Sequence, residues 1–410
     1  MPGKYTLDVL QVLGTRVAAL AISLGGSVIL ARALGPEGRG EFVFAMTVAA
    51  LIAQVGNIGL LSSNTYLAAR DTGLVGPLTV NSGWVTLWVA VVSLAVLEGS
   101  RELGWLPGFT LATSLLTCGV GAVTLVVLLG TGLLVGIGRI GLFNALHVCT
   151  SVLNLVGIVI VAVLGLGVAS YLVVSLVSAG VVGALAVAAL LERRRPALHF
   201  DTGLFSRGVR YASKAYLSAL LAFMMLRVSV FLVRTLLGPE GLGYYSVASQ
   251  VTDTLGLVPA SLALVLFPRL VRQDLGRYRF MLRNLVAIAV PLAAACGAFE
   301  LLAEPFVRIL FGAPFLPAVP VLRWMLPGAF LLGTTTVVQQ YVAAGGLPRG
   351  LLGILALGLA SGVALGLLLI PRYGATGAAM ALSSSYAVIF LLELGLAHRM
   401  SRSESPTVTG

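Results

Sequence analysis

Long apolar runs alternate with short polar breaks along the whole chain. Stretches such as "VTLVVLLGTGLLVGIG" (123–138) and "LLGILALGLASGVALGLLLI" (351–370) carry no charge at all. They lack the two-residue alternation of a membrane β-barrel strand, so the pattern predicts helices. A helix needs about 20 apolar residues to cross the hydrocarbon core of a bilayer. About twelve segments meet that test, at roughly 9–33, 42–64, 76–97, 110–134, 143–165, 168–191, 209–236, 244–267, 281–303, 317–343, 350–370 and 376–397. The breaks between them are short. The longest, "ERRRPALHFDTGLFSRG" (192–208), is too small to fold as a soluble domain.

Composition agrees with this reading. Of 410 residues, 58% are hydrophobic and only 10% are charged. A soluble domain carries about 25% charged residues. The pattern therefore predicts an all-α polytopic membrane protein with about twelve transmembrane helices. The net charge is +11. In a soluble chain that excess would suggest nucleic acid, but here the basic residues sit between apolar runs and no nucleic-acid partner is expected. Cys118, Cys149 and Cys296 lie within apolar stretches and form no C-x-x-C pair, so they read as single buried thiols, with no metal site. No cleavable signal peptide is expected, because the first apolar run is long enough to span.

The 26 Lys and Arg residues are distributed unevenly: 17 fall on the side of the N-terminus, 6, Arg39 among them, on the opposite side and 3 within spans. The side richer in Lys and Arg is the cytoplasmic one. Both termini are therefore expected in the cytoplasm, and the chain in the inner or plasma membrane.

One phrase occurs twice. Residues 34–42 read "LGPEGRGEF" and residues 237–245 read "LGPEGLGYY". The shift is 203 residues, about half of the 410. The same shift brings Asp71 onto Asp274, and "GLGVASYLVVS" near the sixth span resembles "RYGATGAAMALS" near the twelfth. The chain therefore divides into two six-helix halves, 1–200 and 201–410. Six is even, so both halves start on the same side and the repeats are parallel. Within the phrase, Gly35 and Gly238 suit the left-handed conformation that ends a helix. Pro36 and Pro239 mark where it stops, and Gly38, Gly40, Gly241 and Gly243 allow a tight hairpin. A phosphate-cradling loop is the sharper alternative, but no lysine follows the glycines.

Several quoted stretches resemble Wzx-type polysaccharide flippases: "LARALGPEGRGEF", "VGNIGL", "SNTYLAAR", the run from Leu226 to Leu270, "LFGAPFLPAVPVLRWMLPG" and "YVAAGGLPRG". That family lies in a superfamily that also holds multidrug/toxin extruders and the lipid II flippase. The resemblance covers about residues 10–397. It implies two lobes around a central cavity and transfer of an undecaprenyl-diphosphate-linked oligosaccharide to the outer leaflet by alternating access. The implied partners are that lipid-linked oligosaccharide, membrane lipid and the polysaccharide polymerase machinery. No cofactor is implied; coupling to an H+ or Na+ gradient is left open. Relatives often read Leu-Arg-x-Asp near the start of the seventh span, whereas here Ser229 stands at the acidic position, in "LRVSV".

Charges at membrane depth mark candidate transport residues. Arg227, near the middle of the seventh span, is the leading substrate-facing cation; pairing with Asp253 in the eighth span is its structural alternative. Arg16 is a candidate for the diphosphate, or it snorkels to the headgroups. Lys214 and Arg210 are candidate phosphate contacts that topology alone also explains. Asn57 and Gln339, with Gln54, Asn64 and Gln340, are candidates for sugar hydroxyls or for helix-to-helix hydrogen bonds. Asp253 and Glu300 are candidates for coupling or ion pairing, Glu300 being expected at the interface beside Glu304. Arg323 is placed near the outer boundary. His147 is expected as an interior, hydrogen-bonded histidine.

Two other functions are weighed. A multidrug extruder of the same fold would favour a protonatable carboxylate deep in the first half, and the first six spans hold no acid at their centres. A membrane glycosyltransferase or glycan polymerase would need catalytic groups on a sizeable outer loop. Glu37 and Glu41 are the only close match, and the second copy of the phrase keeps Glu240 alone. The expectation is a transporter with no catalytic residues.

Overall fold

A computed structural model describes residues 2–106, 108–192, 198–272, 276–346 and 349–404, without the side chains of 2–20, 214, 257–258, 264–265, 349 and 403–404. Twelve α-helices account for almost all of it. They are α1 (Pro2–Gly56), α2 (Leu60–Arg70), α3 (Val75–Glu102), α4 (Leu111–Gly136), α5 (Ile140–Val163), α6 (Val168–Leu191), α7 (Thr202–Leu255), α8 (Leu257–Arg272), α9 (Arg277–Leu310), α10 (Ala318–Ala344), α11 (Arg349–Tyr373) and α12 (Ala375–Glu404). Short 3-10 turns at Thr72–Leu74 and Ala313–Phe315 complete the chain, and no strand occurs among the described residues. Among the described residues, ten segments are long and apolar enough to cross a membrane. The protein is a multi-pass α-helical membrane protein.

The repeated phrase sits inside the two longest helices. In α1 the backbone leaves the helical region only at Gly35, with φ 66° and ψ −175°. In α7 it does so only at Gly238, with φ 75° and ψ −170°. A side chain at such a φ is strained, so glycine is required. Pro36 and Pro239 then open the second arm, where the missing N–H costs nothing. Counting the arms of α1 and α7 separately gives the twelve spans that hydropathy predicts. The second spans have one further break each. After α1 it falls at Asn57–Gly59, where Ile58 and Gly59 take φ of 46° and 82°. After α7 it falls at Gly256, between α7 and α8.

The chain forms two compact units. The first takes residues up to Leu34 and Glu41–Leu220; the second takes Gly35–Gly40 and residues from Leu221 onward. In the first unit α4 packs against α2, α3, α5 and α6. Its Leu125, Leu129, Leu133 and Leu134 are fully buried. Its glycines permit close approach: a Cβ on Gly121 would meet Ile52 and the Ala49 carbonyl, and one on Gly136 would meet Thr65 and Ala68. Small residues at such seams are how helices pack when lipid removes the hydrophobic drive between them. The start of α7 belongs to this unit for the same reason. Gly59 lies against Ala212, Gly208 lies against Ser63, and the Tyr216 hydroxyl donates to the Val55 carbonyl at 3.0 Å.

In the second unit α10 takes the place that α4 holds in the first, packing on α8, α9 and α12, while α11 packs on α12. Val337, Val338, Tyr341 and Val342 form its fully buried stripe. The two copies of the repeated phrase also meet here. A Cβ on Gly40 would overlap the Pro239 carbonyl, and one on Gly243 would overlap the Pro36 carbonyl. The contact is reciprocal, as expected of two equivalent loops facing each other.

Because that contact is backbone to backbone, it leaves no flexible group to move aside. Gly40→Ala and Gly243→Ala are each expected to destabilise the fold by about 1–3 kcal/mol, the usual range for overpacking. Gly25→Ala, where an added Cβ would meet nothing within 4 Å, serves as the control. Thermal unfolding of purified protein in detergent reads the difference, and an unchanged midpoint for Gly40→Ala would contradict the packing.

Candidate functional site

The candidate residues fall into four groups within the two units. The first surrounds the paired loops of the second unit. Arg39 is 2% exposed, although it lies in a segment that charge counting assigns to an outer loop. Its Nε donates to Ser246 Oγ at 2.8 Å and its Nη2 donates to Gln250 Oε1 at 2.7 Å. Its guanidinium also stands 5.3 Å from the centre of the Phe311 ring. At the equivalent place in the second copy stands Leu242, fully buried. The repeat is thus symmetric in backbone and asymmetric in chemistry.

The second group is built on α7, α8 and their neighbours in the second unit. Arg227 is half-buried, and its charge acts on Asp253, Tyr245 and Tyr386. No direct ion pair joins Arg227 to Asp253 among the described residues. Ser229 is buried, and its hydroxyl acts on the buried Tyr245. Asp253 is exposed and lines a small pocket with Ser249, Thr252, Met325 and Tyr386.

The third group lies deeper in the same unit. Gln339 on α10 donates its Nε2 to Glu393 Oε1 on α12 at 3.1 Å. Glu393 is fully buried. Sequence reasoning passed over it as part of the last span. The available signal was its isolation, since Glu393 is the only acidic residue between Glu304 and Glu404.

The fourth group lies in the first unit, around α2 and the start of α7. Tyr66 stacks on Tyr211 with ring centres 4.3 Å apart, and the Arg70 guanidinium stands 5.2 Å over the Tyr66 ring. Arg207 and Arg210 are exposed on α7, one turn and one residue before Tyr211. This is an aromatic and cationic patch, a chemistry suited to a phosphate with an attached ring.

The other candidates are placed as follows. Asn57 is buried and its Oδ1 accepts from the Leu61 N–H at 2.8 Å, which caps α2. Asn64 is buried and donates to Ser82 Oγ at 2.9 Å. Glu300 does not rest beside Glu304 alone: its Oε1 lies 3.4 Å from Arg323 Nε, joining α9 to α10, while Glu304 pairs with Arg308 at 2.9 Å. Both pairs are about half exposed, so each contributes little to stability. His147 is exposed, its ring edge-on to Phe143 at 5.9 Å, and is not the interior histidine expected from the sequence. The side chains of Arg16 and Lys214, and Asp274 as a whole, lie outside the described residues. No cluster of metal-binding side chains occurs among the described residues.

Solved structures share this architecture. A structure described as the lipid II flippase MurJ in an inward closed conformation matches with a TM-score of 0.80, at 13% identity, over 95% of this chain and 87% of that one. An inward-facing multidrug resistance MATE family transporter of the MOP superfamily matches at 0.77 and 15% identity, over 95% and 96%. The chain shares its fold with these two transporters. A MOP superfamily transporter from Pyrococcus furiosus matches at 0.68 and 15% identity, over 98% and 95%. In sequence, residues 142–320, less than half of the chain, match the model of a family described as polysaccharide biosynthesis protein. No curated protein sequence matches the chain. The family match runs from α5 to the start of α10, and so includes Arg227, Asp253 and Glu300.

Arg39→Ala removes the hydrogen bonds to Ser246 and Gln250, the first of them buried, and leaves a cavity under Phe311. It is expected to cost about 2–4 kcal/mol. Arg39→Leu copies the residue of the second repeat and fills more of the space, so it is expected to lose less. Thermal unfolding of the two variants side by side tests the ranking, and equal stability of Arg39→Ala and wild type would refute it.

Proposed function

We propose that the protein is a flippase for an undecaprenyl-diphosphate-linked oligosaccharide, carrying it from the cytoplasmic to the outer leaflet of the inner or plasma membrane by alternating access. The observation that carries this reading is the match of residues 142–320 to a polysaccharide biosynthesis family, on a chain whose fold also serves a lipid II flippase. The physical task fits the chain. A glycan cannot cross hydrocarbon unaided, since each uncompensated polar group costs several kcal/mol. A diphosphate needs fixed cations at membrane depth, and arginine is the side chain suited to it.

Arg227 is the substrate-facing cation of this reading. Asp253 interacts with it electrostatically without engaging it in a direct pair, which leaves the guanidinium donors available to phosphate oxygens. Arg210, beside the Tyr66–Tyr211 stack, is the cytoplasmic contact. Both termini are cytoplasmic in this scheme, and the partners are membrane lipid, the lipid-linked oligosaccharide and the enzymes that polymerise it. Multidrug extrusion is the second reading, favoured by the MATE transporter match. The absence of an acid at the centre of any of the first six spans speaks against it.

Mass spectrometry of lipid extracts tests the reading. Cells lacking the protein are expected to accumulate an undecaprenyl-diphosphate-linked oligosaccharide, and restoring the gene is expected to clear it. Arg227→Ala is expected to insert normally and fail to clear it. Clearance by well-expressed Arg227→Ala would remove Arg227 from the mechanism. Raised drug sensitivity without any accumulated lipid would transfer the assignment to the extruder.

A further inference from the structure

The seam between α10 and α12 is apolar along most of its length. Val337, Val338 and Val342 on α10 and Ala397 on α12 belong to one buried cluster, with Leu394 packed against it. Glu393 interrupts this seam. It is 0% exposed, one oxygen accepts from Gln339, and Oε2 has no hydrogen-bond partner among the described residues.

A carboxylate in this position would be a bare charge in an apolar core. The effective cost of such burial is several kcal/mol. One neutral amide donor returns about 1.5–3 kcal/mol, which does not offset it. Among the described residues no cation compensates the charge. Of all the described side chains, only Gln339 acts on Glu393 by hydrogen bond or charge. α11 has no titratable residue between Arg349 and Arg372. On α9 and α12, Tyr278 is engaged with Tyr341 and His398, at ring-centre distances of 5.9 and 5.8 Å. Tyr386 sits in a separate cluster with Met225. The neutral acid is therefore the form this environment holds. A glutamine would give the same packing without the penalty; what a carboxyl adds is a proton that can leave.

A way out lies along the same seam. Tyr386 and Leu332 line the pocket that also holds Asp253. Each stands seven residues before Glu393 and Gln339 on its helix, about 10 Å along the axis. A dry carboxyl and an exposed carboxylate thus bracket two turns of the α10–α12 contact.

We propose that Glu393 is a proton-binding site, loaded in this conformation and unloaded when the α10–α12 seam admits water from the pocket lined by Asp253. Unloading breaks the Oε2–H bond, leaves a carboxylate on Glu393, and passes the proton to water and then to the Asp253 carboxylate. The site itself does not depend on the substrate; its use in coupling rests on the transport reading above.

Two measurements on the full chain in liposomes test this. Infrared difference spectroscopy across a pH titration is expected to show a protonated-carboxyl band that persists to neutral pH in wild type. Glu393→Gln is expected to lose that band, whereas Glu393→Asp and Asp253→Asn are expected to keep one. In the second, an imposed proton gradient is expected to change the rate of lipid-linked oligosaccharide transfer in wild type, and Glu393→Gln is expected to lose that response. A Glu393→Gln variant that keeps the band, or that keeps the full gradient response, would overturn the proposal. Loss of the band together with no oligosaccharide transfer by wild type would sustain the proton site and remove the flippase reading instead.

Discussion

The second unit depends on one contact, the reciprocal packing of the two Leu-Gly-Pro-Glu-Gly loops. Each loop presents a proline carbonyl where the other presents a glycine with no side chain. The geometry works only if both copies keep the same backbone, and the matched angles at Gly35 and Gly238 show that they do. This explains why the phrase occurs twice at the same place in each half. A turn that served only its own helices could drift in sequence independently in each half. A turn that must fit its own copy is constrained on both sides of the contact. The same contact explains how six residues of the first half come to belong to the second compact unit. Arg39 fixes that membership with two hydrogen bonds and an aromatic face.

Much of this fold was legible before any coordinates. The apolar runs fix the spans, because lipid allows no unpaired backbone and so leaves helices as the economical solution. The Gly-Pro pairs fix the bends in α1 and α7, because local backbone rules act there without outside help. What was not legible depends on partners distant in sequence. Gly40 and Gly243 read as parts of a tight hairpin, yet their lack of a side chain serves the opposite loop. Arg39 read as an outer-loop charge, yet it is buried against Ser246, Gln250 and Phe311, about 207 to 272 positions away. The breaks at Asn57–Gly59 and Gly256 were also hidden, since hydropathy runs smoothly through both.

The candidate site divides in the same manner. Arg227 stood out because a charge in mid-span is rare, and its electrostatic link to Asp253 follows the expected neighbourhood of the seventh and eighth spans. Ser229 was legible as a departure from the pattern of the resemblance, but its burial near Tyr245 was not. Asn57, Asn64 and Gln339 have side chains already engaged within their own units, which a list of polar residues in spans cannot reveal. His147 shows the converse case: an isolated histidine in an apolar run faces outward, because nothing in a 24-residue helix tells which side packs inward when its hydrophobicity is nearly uniform.

The acidic residues sort by what surrounds them. Glu300 and Glu304 each have an arginine within 4 Å and stand half exposed, so their charges are compensated and cheap. Asp253 has the field of Arg227 and an open pocket. Among the described residues Glu393 has no cation beside it, and only one of its oxygens has a hydrogen bond. A membrane protein tolerates such a group where neutrality is available, and a carboxyl acquires neutrality only by binding a proton. The apolar seam that buries Glu393 therefore also sets its occupancy: while the seam is closed the proton is retained, and any motion that wets the seam lowers the cost of the charged form and lets the proton go. Conformation and protonation are linked there by the same desolvation energy.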